Sequence, residues 1–379
     1  MPLYFYIMKS NRLIATVTND LNQDQRMQRI CATLSGIGFD TLLVGRQRSN
    51  SQPIRHQPFR QLRLKCIFNR GKLFYAEYAI RIFLFLLANP WEVVYAVDLD
   101  TLPSAVLAAR FKGRTCVYDA HEWFSETPEV ERRPFIRWFW RMVGRLTVPK
   151  ADLAITVGPA LAKQLSKEYG RPFEVVRNVP AERSPLPQLK TTRLSNPVLL
   201  YQGALNEGRA LEAIIETLPL LPEAVLWLAG QGDKEELLKN MVQRLGLGDR
   251  VRFLGMLDPE NLYETTWQAT IGLNLLEQRS KSYYFSLANK AFDYIQAGVP
   301  AIHMDFPEYR SLNSPYPVAE LIEELTPLTI ASAIRKITSQ ASHYEVLRQN
   351  CLQSATFLTW TSESKVLEKI MNKYLISSM

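Results

Sequence analysis

The chain has 379 residues, 47 % hydrophobic and 22 % charged, a balance that suits a soluble globular protein with two separate cores and excludes an extended disordered one. Its formal net charge of +8 is unevenly spread: residues 1–180 hold 26 Lys and Arg against 15 Asp and Glu, residues 181–379 hold 19 against 22. The basic half suits an acidic counterpart, whether nucleic acid, an anionic membrane surface or a phosphorylated acceptor.

The four cysteines, Cys31, Cys66, Cys116 and Cys351, show neither metal-like pairing nor the density of a disulfide framework, and they predict a reducing, cytoplasmic setting with no metal site. The run from Met1 to Arg12 lacks the basic flank, apolar stretch and cleavage site of a signal peptide and is expected to lead into a first strand. Leu13–Val17 then reads as a strand, Gln25–Ser35 as a helix with Met27, Ile30 and Leu34 on one face, and Thr41–Val44 as the next strand. Leu73 to Ala88 is the longest apolar run; Glu77 and Arg81 interrupt it, it falls short of the ~20 residues that span a bilayer, and it predicts a buried helix. Val93–Ala96, Thr115–Tyr118 and Leu153–Thr156 continue a series of strands alternating with helices, the pattern of a parallel sheet covered on both faces.

These strands end in polar clusters: Thr18-Asn19-Asp20, Asp98-Leu99-Asp100, Asp119-Ala120-His121-Glu122 and Val157-Gly158-Pro159. Ligands of open α/β sheets bind beyond the carboxyl ends of strands, so a site is sought here; for any single cluster a helix N-cap is the stronger competing reading. Asp24 and Arg26, just past the first strand, are candidates to approach an acceptor or phosphate, with capping and surface charge as the ordinary explanation. The segment Glu129 to Lys150 mixes aromatic residues with Arg132, Arg133, Arg137, Arg141 and Arg145. Its stripe is expected to face the domain core, as apolar stripes usually do, with an anionic bilayer surface as the alternative. No recognised nucleic-acid motif accompanies the charge, so no nucleic-acid partner is expected.

From about Asn178 to Pro197 four prolines and many polar residues without periodicity predict a linker, and a second α/β series follows. Val198–Tyr201 reads as a strand, Gly203–Asn206 as a turn, Arg209–Leu218 as a helix, Ala224–Ala229 as a strand and Lys234–Leu245 as a helix. Val251–Leu254 and Ile271–Leu276 are further strands, and Asp258-Pro259-Glu260 opens a helix with a good N-cap. Ser280 to Asp305 then offers a polar and aromatic loop, a short helix carrying Lys290 and Asp293, a Gly298-Val299-Pro300 turn and an apolar strand. One cation and one carboxylate at the mouth of a parallel sheet suit a phosphorylated sugar, although an i,i+3 pair on a solvated helix face is the ordinary alternative. The last helix, Trp360 to Leu375, places Val366, Leu367, Ile370, Met371 and Leu375 at helical spacing and must pack on something.

VLLYQGALNEGR at 198–209, AGQGD at 229–233, VRFLG at 251–255 and NKAFDYIQAGVPAI at 289–302 together resemble the carboxyl-terminal domain of retaining glycosyltransferases of family 4. Asp119-Ala120-His121-Glu122 resembles that family's acceptor-side histidine region, and Arg177-Asn178-Val179-Pro180 its domain-joining segment. The resemblance implies a GT-B fold, two facing Rossmann-like domains with an interdomain cleft: 1–180 for the acceptor, a linker over 181–197, 198–359 for the nucleotide sugar, and a helix over 360–379 packing back across the domains. It implies a metal-independent, retaining transfer from a nucleoside-diphosphate sugar, with no cofactor, to a glycan, lipid-linked or small-molecule acceptor. Cysteine usage and the charge of the basic half, rather than the resemblance, suit a cytoplasmic location with peripheral association at the inner face of the cell membrane.

Residue by residue, the resemblance gives Gly203 close approach to the diphosphate, sets Arg209 at the place of a phosphate-binding lysine, and gives Asp293 the ribose hydroxyls. The family's first glutamate falls on Phe285 and its phosphate-binding arginine on Ala204, so Ser286, Asn289 and Lys290 are expected to substitute. Catalytic candidates are His121, Arg209 and Lys290, and acceptor-side candidates are Asp24, Arg26, His121 and Glu122. The alternatives are a sugar-nucleotide epimerase of the same fold and a non-catalytic sugar-nucleotide or membrane-surface binding protein.

Overall fold

The structure, a computed structural model, describes residues 11–182 and 194–376. The lead-in before Asn11 and most of the expected linker lie outside the described residues, as does the side chain of Leu375. The chain divides into two units: the first runs to Asn178 and resumes at Glu363, and the second is Val179–Ser362.

The first unit is built on an all-parallel sheet of seven strands: β1 (Arg12–Thr16), β2 (Asp40–Gln47), β3 (Arg60–Lys65), β4 (Val93–Val97), β5 (Thr115–Ala120), β6 (Leu153–Thr156) and β7 (Glu174–Val175). Their spatial order is β3-β2-β1-β4-β5-β6-β7. β4 and β6 are buried at every residue, as strands covered on both faces must be, and so read as continuous apolar runs. The edge strand β3, RQLRLK, has no fully buried residue, and no strand was expected there.

The second unit has a six-stranded parallel sheet: β8 (Val198–Gln202), β9 (Val225–Ala229), β10 (Val251–Gly255), β11 (Ile271–Asn274), β12 (Ala301–Met304) and β13 (Ala319–Ile322), in the order β10-β9-β8-β11-β12-β13. In each sheet the order reverses beside the first strand, so that β1 pairs with both β2 and β4, and β8 with both β9 and β11. Such a switch point opens a crevice at the carboxyl ends of the central strands, where ligands of doubly wound sheets bind.

Three expectations are corrected. The helix Gly71–Ala88 is not buried: Phe74, Tyr78, Ile82 and Leu86 face inward, whereas Leu73, Ile80 and Leu84 face solvent. The helix Pro134–Thr147 does not bury its aromatic stripe, and Phe135, Trp138, Phe139, Met142 and Leu146 are exposed. The reason is a carboxylate. Glu126 is fully buried and accepts from Arg137 at 2.5 Å and from Arg141 at 2.8 Å, which turns the arginine face inward and the apolar face out. Gly144 continues that inward face, since a Cβ there would meet the Tyr169 ring at 2.8 Å. Finally, the helix expected from Arg209 begins at Leu211, after Ala210 in the left-handed region at φ 53°.

In the last helix, Trp360–Ile376, Leu367, Ile370 and Met371 are buried while Val366 is exposed. Glu363 accepts from the Arg177 backbone N–H at 2.9 Å and its guanidinium at 3.1 Å, and the Tyr374 hydroxyl donates to Glu174 at 3.0 Å.

Candidate functional site

In the second unit, β8 runs out at Gln202 into Gly203, whose φ of +129° favours glycine. Two backbones pack face to face here. A Cβ on Gly230 would lie 1.9 Å from the Gly203 carbonyl oxygen, while the Gly203 N–H donates to Ala229 O at 2.9 Å. The turn is therefore bare backbone, open to a close-approaching ligand.

Lys290, second residue of the helix Asn289–Gln296, puts its ammonium 3.7 Å from the Tyr201 ring centroid and 3.5 Å from where a Gly203 Cβ would stand. Burial and the neighbouring Arg209 charge hold its pKa well below the usual lysine value, against the pull of Asp293. The Arg209 guanidinium lies 5.2 Å from the Tyr283 ring centroid. Two cations this near each other, one of them desolvated, are stabilised by an anion between them. One helical turn on from Lys290, Asp293 accepts from the Gln202 side-chain amide at 2.9 Å, and Gln202 in turn accepts from the Thr266 hydroxyl at 2.8 Å. Tyr294 fixes the helix on the sheet by donating to Leu200 O at 3.0 Å and Leu273 O at 3.2 Å.

Gly203, Arg209, Lys290 and Asp293 thus share one region. The other two donor-side candidates flank it: the Ser286 hydroxyl donates to Tyr283 O at 2.8 Å, and Asn289 is exposed at the helix start. Phe285 holds an edge contact with Tyr284, ring centroids 5.0 Å apart. Sequence reasoning missed the polar layer beneath. The Tyr309 hydroxyl accepts from Ala288 N at 3.2 Å, the His303 ring stacks on Tyr309 with centroids 4.8 Å apart, and His303 Nδ1 lies 3.1 Å from the Asn274 amide. Burial, with the nearby Lys290 charge, pushes the His303 pKa down to about 3, so the ring is neutral. A histidine inside the apolar strand AIHM was the available signal.

In the first unit, Asp119 is fully buried near the end of β5 and accepts from Arg26 at 2.9 and 3.1 Å and from the Tyr95 hydroxyl at 2.9 Å. Arg26 is buried as well, donating also to Val176 O at 2.8 Å, which overturns surface charge as its ordinary explanation. Asp24 is the N-cap of the helix Gln25–Gly36, accepting from Met27 N at 2.9 Å. His121 sits between two carboxylates, Nε2 at 3.4 Å from Asp119 and Nδ1 at 4.0 Å from Asp98. Burial opposes charge on this imidazole, but Asp119 and Asp98 outweigh it and raise its pKa to about 9. Desolvation raises Asp98 to about 8, partly offset by His121. Asp98 also holds the left-handed region at φ 56°, uncommon for a residue with a side chain, and accepts from the His121 N–H at 3.0 Å. Asp100 accepts from the Thr18 hydroxyl at 2.7 Å, while Glu122 is exposed. Arg26 and His121 are therefore brought together on Asp119, while Asp24 serves its own helix.

Two Rossmann-like parallel sheets, each with a switch point, are the parts of the GT-B glycosyltransferase plan. Residues 23–182 match the glycosyl transferase 4-like domain, and residues 187–353 match the glycosyl transferases group 1 domain. With both halves matched in order, the chain belongs to the GT-B glycosyltransferases of this two-domain family. The lipopolysaccharide core biosynthesis glycosyltransferase LpsE of Rhizobium meliloti is 29 % identical over 115 residues, 28 % of this chain and 33 % of that protein. The chain spans about a third of the length of the curated relatives it matches. Among solved structures, sucrose-phosphate synthase of Thermosynechococcus elongatus superposes with a TM-score of 0.78 at 16 % identity, over 97 % of this chain and 100 % of that one. Anabaena HepE in complex with UDP and glucose superposes at 0.75 with 13 % identity, over 97 % and 100 %.

Proposed function

We propose that the protein transfers a sugar from a nucleoside-diphosphate sugar to an acceptor hydroxyl, with retention at the anomeric carbon and without a metal. The observation that carries this is the meeting of Arg209 and the desolvated Lys290 beside the bare Gly203 turn, one helical turn from Asp293. A diphosphate adds negative charge beside two neighbouring cations, and that charge grows as the sugar leaves, so the same cations stabilise the transition state more than the ground state. Asp293, already accepting from Gln202, has lone pairs for ribose hydroxyls, and the base lies against backbone near Val251–Leu254. Ser286 and Asn289 contact the sugar or β-phosphate. In the first unit, His121 carries its charge at neutral pH and orients the acceptor, supported by Asp119. The acceptor is a glycan or glycolipid hydroxyl, a reading supported by the lipopolysaccharide relatives and by the HepE complexes with UDP, glucose and UDP-glucose.

The test is turnover of labelled UDP-, GDP- and ADP-sugars across an acceptor panel, preceded by thermal-shift screening of the same donors. Acceptor-dependent transfer that falls in Lys290→Ala and Asp293→Ala is expected. Change of the donor sugar with no acceptor present would instead establish an epimerase. Phe285, standing where the resemblance leads one to expect the family's first glutamate, favours one second reading: a sugar-nucleotide binding protein without turnover. Tight nucleotide binding with no transfer to any acceptor would establish it.

A further inference from the structure

The first unit carries an apolar face that the sugar-transfer reading does not use. On the helix Pro134–Thr147 the exposed residues Phe135, Trp138, Phe139, Met142 and Leu146 recur at i, i+3, i+4, i+7 and i+11, one continuous stripe. Phe135 is 68 % and Trp138 57 % exposed, so the stripe is not skimmed by neighbours. The helix Asp98–Lys112 packs on it and adds Leu107 and Phe111, the latter 79 % exposed; the helix Gly71–Ala88 packs on that one in turn and adds Leu73, Ile80 and Leu84. Aromatic contacts join the ends: Tyr75 meets Trp140 at 5.8 Å, and the Lys72 ammonium lies 5.7 Å from the Phe135 ring. An apolar surface of this breadth is rare on a soluble protein unless something covers it.

Charge identifies what covers it. Residues 129–150 hold six Arg and Lys against two Glu. Arg137 and Arg141 are held by the buried Glu126 and Arg145 pairs with Glu168 at 3.0 Å, while the exposed Arg133 precedes the helix, Lys150 follows it and Arg110 lies beside Phe111. A groove of about 480 Å³ along the helix is lined by Arg137, Arg141 and Arg145, by Glu131, and by Trp138, Met142 and Leu146. A second copy of this chain would bring like charge against like charge. An anionic bilayer accepts both components, apolar side chains among the upper acyl carbons and guanidinium groups at the phosphates.

We infer that the exposed faces of helices 71–88, 98–112 and 134–147 form one surface on which the protein lies against an anionic lipid bilayer, with the helix Pro134–Thr147 in the plane of the headgroups. Among the described residues no helix is long and apolar enough to cross a membrane, so this attachment is peripheral. It is independent of sugar transfer and can hold or fail without it.

The experiment is co-sedimentation of the full chain with vesicles of phosphatidylcholine containing phosphatidylglycerol, and with phosphatidylcholine alone. Binding to the anionic vesicles only is expected, weakening with added salt, and lowered roughly tenfold in Trp138→Ser/Phe139→Ser. A second pair on a different helix, Leu107→Ser/Phe111→Ser, should lower it as well and carries the test if the first pair fails to fold. Equal binding to neutral vesicles, or binding unchanged by both pairs, would overturn the inference. So would a concentration-dependent dimer in sedimentation velocity that the same substitutions abolish.

Discussion

Lys290 is the residue whose behaviour most directly reports the donor site. Burial and Arg209 depress its pKa in the free protein, and a bound diphosphate raises it again. The sign follows: binding takes up a proton wherever the free side chain is partly neutral, so affinity is highest below the free pKa and falls as pH rises toward the bound one. Calorimetry of UDP binding in two buffers of different ionisation enthalpy should show uptake, absent in Lys290→Ala; buffer-independent heats would count against the site. That variant should bind the nucleotide about tenfold or more weakly, a loss of at least ~1.4 kcal/mol, with an unchanged thermal transition of the free protein. Asp119 makes the opposite case. Asn there leaves the buried Arg26 without its counter-ion, and a cost of about 3–5 kcal/mol is expected in denaturant unfolding. The motif around His121 was legible because order and spacing lie in the chain itself. Arg26 was misread because its partner stands 93 residues away, and local sequence does not report that distance.

Among the elements, legibility followed burial. Strands covered on both faces, such as LAIT at β6, announce themselves as apolar runs. The edge strand RQLRLK and the two-residue β7 carry no such run and went unseen. The helix Pro134–Thr147 shows a different limit: periodicity gives a stripe but not the direction it faces, and here the direction is set by Glu126 on another element. The β8 and β9 turns yield a sharper prediction. Gly230→Ala sets a Cβ 1.9 Å from a carbonyl oxygen at a φ of +142°, with no flexible neighbour to yield. It should destabilise the second unit by roughly 3 kcal/mol or more, read as a lowered melting transition, because both the clash and the backbone region oppose it. A variant melting like the parent would mean that the Gly203 and Gly230 backbones can move apart at little cost.

On the scale of the whole molecule, the boundary at Asn178 and the return at Glu363 make the first unit discontinuous. A chain stopped after Ser362 loses the Glu363 contacts to Arg177 and the buried Leu367, Ile370 and Met371. Burial of three such side chains is worth roughly 5 kcal/mol, so the first unit should melt well below its value in the parent while the second keeps its transition. Calorimetry resolving the two transitions would check it, and an undisturbed first transition would show that the helix contributes little.

That discontinuity also sets an order of synthesis. Residues 363–376 leave the ribosome only after the entire second unit has been translated, so the unit begun first is finished last. Domains generally fold from the amino terminus as they emerge; here the nascent first unit goes without the buried Leu367, Ile370 and Met371 through translation of the second. Arrested nascent chains ending before Glu363 should therefore be more protease-sensitive in residues 11–178 than the full-length chain, even when residues 198–359 already resist.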